Sequence, residues 1–181
     1  MSCLSKFGNI IGDADFILPL LLSFLCLFYI LRLEKWENPI LELLCLIVLT
    51  ALLGNLLKVL LGRARPYMGL GELSFFNFPE SLFKNDFQSF PSGHVLVATS
   101  TFSWIGMRFK GWIRLAFLFL IVIVAYNRLE TNNHFFSDVA FSFALGYALT
   151  LGYLREVKGS EESWLPFDPL AFASFFKRLF S

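Results

Sequence analysis

Apolar residues fall along this chain in long blocks bounded by charge, not in the one-sided pattern of a helix with a wet face. Five blocks stand out, at about 16–31, 39–61, the stretch from Gly93 to 107, 112–126 and 135–154. Asp15 and Arg32 close the first, and Pro39 suits the first turn of the second. A helix that is apolar all round belongs in a large core or in lipid. Crossing the hydrocarbon takes ~20 residues, with a range of about 17–25. The first, third and fourth blocks are short by that measure and need polar flanks at the interface or a thinned bilayer. The pattern predicts an all-α fold, an integral membrane helical bundle of about five transmembrane helices, forming one domain over residues 1–181.

Two stretches outside the blocks read as interfacial. Residues 67–90 carry Phe75, Phe76, Phe78, Phe83, Phe87 and Phe90 among Gly, Pro, Ser and Asn, which suits a loop resting at headgroup level. Residues 164–181 are aromatic, end in Lys177 and Arg178, and read as a short interfacial helix on the cytoplasmic surface. Ahead of the first block stand one Lys, several polar residues and two Asp, a poor fit to a cleavable signal peptide, so that block reads as a retained anchor.

Composition strengthens the membrane reading. Of 181 residues, 56% are hydrophobic, 18% aromatic and 16% charged, against roughly a quarter charged in soluble domains. In water such a surface would carry large apolar patches and tend to aggregate. The net charge of +1 gives no field for nucleic acid. Cys3, Cys26 and Cys45 lack metal or redox spacing, and the latter two lie in apolar runs as small hydrophobes. With alternating spans, one face receives Arg32, Lys35, Arg108, Lys110, Arg114, Arg155, Lys158, Lys177 and Arg178, nine of the 15 basic residues. That excess makes it cytoplasmic. The external or periplasmic face keeps Lys6, Lys58, Arg63, Arg65, Lys84 and Arg128.

Ionisable residues at the ends of membrane spans are costly and invite a functional reading. Three groups gather on the external face. Lys58 and Arg65 are about two helical turns apart and share a side, with Pro66 ending the span; two stacked cations suit a multiply charged anion, and snorkelling to the interface is the structural alternative. In Pro91-Ser92-Gly93-His94, Ser92 can cap the third span, whose free N–H groups suit phosphate oxygens, and Gly93 allows close approach. A lone His there is otherwise structural. His134 and Asp138, four apart, meet on one helical face, where a carboxylate can fix the imidazole tautomer. The alternative is a helix-end ion pair, weakened by Arg128, whose planar fork matches phosphate. Arg63, two residues from Arg65, would point elsewhere on a helix and reads as a surface or substrate contact. Together the groups supply a nucleophile, its orienting group, an acid and an oxyanion clamp.

These stretches resemble the signature of the type-2 phosphatidic acid phosphatase superfamily: Lys, six residues, Arg-Pro; Pro-Ser-Gly-His; and Ser-Arg, five residues, His, three residues, Asp. Lys58 to Pro66, Pro91 to His94 and Arg128 to Asp138 keep every internal spacing, and the motifs with their spans cover about residues 39 to 155. Asn127 stands where the family usually has Ser, which predicts altered phosphate contacts with His134 and Asp138 intact. The resemblance implies that His134 attacks phosphorus to form a phosphohistidine, that Asp138 orients it, and that His94 protonates the leaving oxygen and then activates water. It implies that Lys58, Arg65, Arg128, Asn127, Ser92 and the Gly93 amide hold the phosphate oxygens, with no metal or other cofactor.

The apolar spans set the chain apart from the family's soluble haloperoxidases and acid phosphatases. The resemblance points to small bacterial inner-membrane lipid phosphatases with the site facing the periplasm. Those act on lipid A at its 1-phosphate, on phosphatidylglycerophosphate or on undecaprenyl diphosphate, and the compact chain with its short aromatic loop leans toward the first. The implied partners are a lipid phosphate and the bilayer, with oligomeric state left open. Two other readings stand beside it: a phosphotransferase of the same superfamily, in which a lipid hydroxyl replaces water, and a non-catalytic lipid-binding membrane protein.

Overall fold

A computed structural model describes residues 3–30 and 34–159. The tail expected to form an interfacial helix lies outside them. Seven α-helices follow in order: α1 (Cys3–Ile11), α2 (Ala14–Ile30), α3 (Glu34–Leu61), the single turn α4 (Glu80–Phe83), α5 (Gly93–Gly106), α6 (Trp112–Glu130) and α7 (Phe136–Gly159). Among the described residues there is no strand, as an all-α chain requires.

Two segments among the described residues, Pro39–Met68 and Trp112–Glu130, are long and apolar enough to cross a membrane. They account for the second and fourth predicted spans. Their outer faces are apolar and open, with Leu52, Leu60, Leu115, Phe119 and Val122 all more than half exposed. Helix α2 has 17 residues and α5 has 14, so at 1.5 Å per residue α5 rises only about 21 Å. Helix α7 is longer at 24 residues but carries Asp138 in its first turn.

Helix α5 is the centre of the bundle, packed against α3, α6 and α7. Its middle, Ala98-Thr99-Ser100-Thr101, is made of small side chains, which let helix backbones approach closely. Where α7 crosses, a Cβ on Gly146 would lie 2.9 Å from the Leu96 carbonyl oxygen, so only glycine fits. Some hydroxyls there are paired, as Thr50 Oγ1 lies 3.2 Å from Ser100 Oγ and Thr150 Oγ1 donates to the Gly146 carbonyl at 2.8 Å, whereas the buried Thr99 and Thr101 hydroxyls have no partner among the described residues. A larger apolar cluster fills the space among α2, α3, α5 and α7, with Leu46, Ile47, Trp104 and Tyr153 at its heart. A smaller one, Val95, Ala98, Val124 and Val139, joins α5, α6 and α7 beneath the site. At the far end of α5, Arg108 donates to Glu42 Oε2 on α3 at 3.1 Å and lies over the Trp104 ring.

Helix α1 falls in the stretch that the hydrophobic pattern left outside the spans. It lies along α6, and two glycines set the spacing. A Cβ on Gly8 would sit 2.7 Å from the Ile123 carbonyl oxygen, and one on Gly12 2.6 Å from Val124 Cγ1. In Gly8→Ala the added helix propensity is worth about 1 kcal/mol, whereas the clash falls on backbone and overpacking costs about 1–3 kcal/mol. The clash wins. Gly8→Ala is expected to lower the thermal unfolding midpoint in detergent, while Lys6→Ala, at an exposed position of the same helix, leaves it unchanged.

Candidate active site

Helix α3 ends at Leu61, and Gly62, at φ +47°, turns the chain out of the helix. Residues 63–65 run extended, pinned by Ala64 N–H to the Ser74 carbonyl at 3.0 Å, Arg65 N–H to Asp86 at 2.8 Å, and Ser89 N–H to Arg63 at 2.9 Å. The Phe-rich segment therefore folds back over the end of α3 and delivers Ser89 to the centre of the site. Its outer side carries Leu73, Phe76, Phe78 and Phe83, all well exposed.

The reading of Arg63 as a surface or substrate contact holds only on a helix continued beyond Leu61. In the extended segment, residues two apart share a side, and Arg63 turns inward with 2% of its surface exposed. It pairs with Asp138 Oδ1, donates to Ser137 Oγ at 2.8 Å and to the Glu72 carbonyl at 2.5 Å, and is flanked by the Phe75 and Phe135 rings. The other carboxylate oxygen of Asp138 accepts from Ser89 Oγ at 2.6 Å and from the Phe135 N–H at 2.8 Å.

His134 and Asp138 are close, but not as a direct hydrogen-bonded pair. Helix α7 begins at Phe136, so His134 precedes it, and Nδ1 lies 3.7 Å from Asp138 Oδ2. Nδ1 instead meets the Ser89 carbonyl at 2.6 Å. A carbonyl only accepts, so Nδ1 carries the proton and Nε2 is left with its lone pair. Burial holds the His134 imidazole below its ordinary pKa range, opposed by Asp138 and reinforced by Arg65 and Lys58. It is therefore neutral at and above pH 7.

The remaining groups converge around it. Lys58, Arg65 and Arg128 come from three segments and lie within electrostatic reach of one another, and His94 is within reach of Lys58, Arg128 and His134. Arg65 donates to the Asn85 carbonyl at 2.9 Å and to Asn133 Oδ1 at 3.2 Å. A Cβ on Gly93 would sit 3.3 Å from Lys58 Nζ, so glycine keeps the start of α5 open to that cation. Ser92 occupies the N-cap position, yet it makes no side-chain cap bond, and its buried hydroxyl has no partner. Its N–H is held by Ser142 Oγ at 2.7 Å. Asn127 is fully buried and braces Arg128, accepting from Nε at 2.6 Å. Its amide oxygen thus reaches the cluster through Arg128. Among the described residues no three His, Cys, Asp or Glu side chains converge as metal ligands would.

The sequence reading missed Ser89 and did not foresee that Arg63 turns inward. Only Arg63 left a signal, because Pro66 marks the helix end close by. Ser89 acts partly through its backbone carbonyl, which no side-chain pattern reports.

The PAP2 superfamily matches residues 39–160, well over half of the chain, and the chain belongs to that superfamily. Two curated relatives are lipid A 1-phosphatases. That of Rhizobium johnstonii is 34% identical over 102 residues, 55% of this chain and 40% of the relative. That of Rhizobium etli is 34% identical over 102 residues, 55% of this chain and 42% of the relative. The chain thus aligns with about two fifths of the length of these relatives. No solved structure matches the chain.

Breaking the Arg63–Asp138 pair strands a buried charge, a loss of about 3–5 kcal/mol. Arg63→Ala is expected to lower the thermal midpoint far more than Arg65→Ala, whose side chain is only partly buried. The pair of unfolding curves in detergent checks this.

Proposed function

We propose that this protein is a membrane phosphatase that hydrolyses a lipid phosphate through a phosphohistidine at His134, without a metal ion. The observation that carries the reading is the buried, neutral His134, with Nδ1 committed to the Ser89 carbonyl, set among Lys58, Arg65 and Arg128. A nucleophile needs a free lone pair, and a phosphoryl group needs surrounding cations; this site offers both.

In the first step His134 Nε2 attacks phosphorus in line as the bond to the leaving oxygen breaks. Charge on the three non-bridging oxygens is met by Lys58, Arg65, Arg128, the N–H groups opening α5 and the unpartnered Ser92 hydroxyl. His94 gives its proton to the leaving oxygen. In the second step His94 takes a proton from water, whose oxygen attacks phosphorus; the P–N bond breaks and inorganic phosphate leaves. Asp138 stays ionised throughout and stabilises the imidazolium form of His134 by charge. Charge stabilisation by preset groups is the main work in phosphoryl transfer.

The two relatives' names support lipid A 1-phosphate as the substrate. We read α2, α3, α5, α6 and α7 as five spans of a bacterial inner membrane. The site then faces the periplasm, and the exposed Phe-rich segment rests in the outer leaflet beside it. A lipid would reach the cations sideways from the bilayer.

Phosphate release from lipid A, phosphatidylglycerophosphate, undecaprenyl diphosphate and phosphatidic acid, assayed in detergent with EDTA, tests this. Release from lipid A is expected, falling by at least roughly a thousandfold in His134→Ala. Release that requires added metal, or that persists in the variant, rules out His134 as nucleophile. Phosphate passed to a second lipid instead of water identifies a transferase.

The pH profile is a separate check. Because burial lowers the His134 pKa, the lone pair survives to lower pH than in a free imidazole. The acid limb of kcat/KM is expected below about 6.5, the ordinary histidine value. An acid limb above it contradicts the neutral-nucleophile assignment.

A further inference from the structure

Helix α1 and the turn after it lie outside residues 39–160, where the family match falls, yet they reach into the site. Asn9 accepts a hydrogen bond from Arg128 Nη2. Asp13 Oδ2 lies 3.9 Å from His94 Nε2. Gly12 and Asp13 also wall a cavity of about 230 Å³ whose other sides include Lys58, Asn55 and His94.

The charged and titratable groups facing His94 come from every side of it: Arg128 on α6, Lys58 on α3, His134 ahead of α7, and Asp13. Of these four only Asp13 is an anion. A general acid must hold its proton in the free enzyme until the leaving oxygen takes it, and three neighbours that are or can become cationic work against that. An anion on the remaining side is what such a histidine needs.

We propose that Asp13 is a positioning residue for the reaction: its carboxylate pairs with His94 and favours the protonated form against the three groups on the other sides. Asn9 on the same α1 segment steadies the Arg128 fork. The kinetic consequence rests on the phosphatase reading above; the pairing itself does not. In the proposed cycle His94 loses its proton to the leaving oxygen and regains one from water. The His94 and Asp13 side chains are 28% and 36% exposed, so water screens the pair and its effect is moderate. A fixed anion here also repels incoming phosphate, but Lys58, Arg65 and Arg128 outnumber it.

The chain has two histidines, so His94→Ala assigns both imidazoles in an NMR titration of histidine-labelled protein in micelles. Asp13→Asn is expected to lower the His94 pKa by about half a pH unit or more. The alkaline limb of kcat/KM for phosphate release should move to lower pH by the same amount, and Asp13→Glu should restore most of both. Asp13→Ser serves if the Asn variant does not fold. An unmoved His94 titration overturns the proposal, including where kcat falls evenly at all pH values, which is the mark of a merely structural aspartate. If the wild type releases no phosphate from any lipid while His94 still follows Asp13, the pairing holds and the phosphatase reading fails.

Discussion

Asp138 is a carboxylate with no exposed surface, in the first turn of a helix that packs into an apolar bundle. A charge in that position must be met on every lone pair or it unfolds its surroundings. Arg63, Ser89 and the Phe135 N–H meet it, and they come from the chain leaving α3, from the segment before α5 and from the entry to α7. The need to satisfy one buried carboxylate therefore fixes the mutual placement of three segments far apart in sequence. The His134 imidazole is set by the same knot, because the Ser89 whose hydroxyl binds Asp138 also offers its carbonyl to Nδ1.

The bundle below serves this arrangement by being tight at its axis and apolar at its rim. Small residues on α5 and Gly146 on α7 bring backbones together, so the ends of α3, α5, α6 and α7 gather closely enough for their cations to act on one another. The Glu42–Arg108 contact closes the opposite end of α5. Cations brought together at a helix end raise the energy of the empty site and lower it when a phosphate arrives. Their crowding favours an anionic ligand without need of a new contact. Asn127 restrains Arg128 at a further cost in freedom that is already met in the fold, so less ordering remains when a ligand binds.

Sequence alone determined the helical class and the two spans that are long and apolar, and its motif spacing singled out Lys58, Arg65, Ser92, Gly93, His94, Arg128, His134 and Asp138 as one candidate set. Those features follow from local rules: block hydrophobicity, residue type and spacing along a single segment. Tertiary structure alone decided the direction of Arg63, the carbonyl partner of His134, the brace that Asn127 gives Arg128, and the entry of Asn9 and Asp13. Each of these depends on where a helix stops or on what a distant segment places opposite. Backbone carbonyls carry no residue identity, and a nine-residue helix such as α1 is too short to hold its shape without α6 beneath it. Local chemistry selects the groups, whereas long-range packing decides which nitrogen keeps its proton.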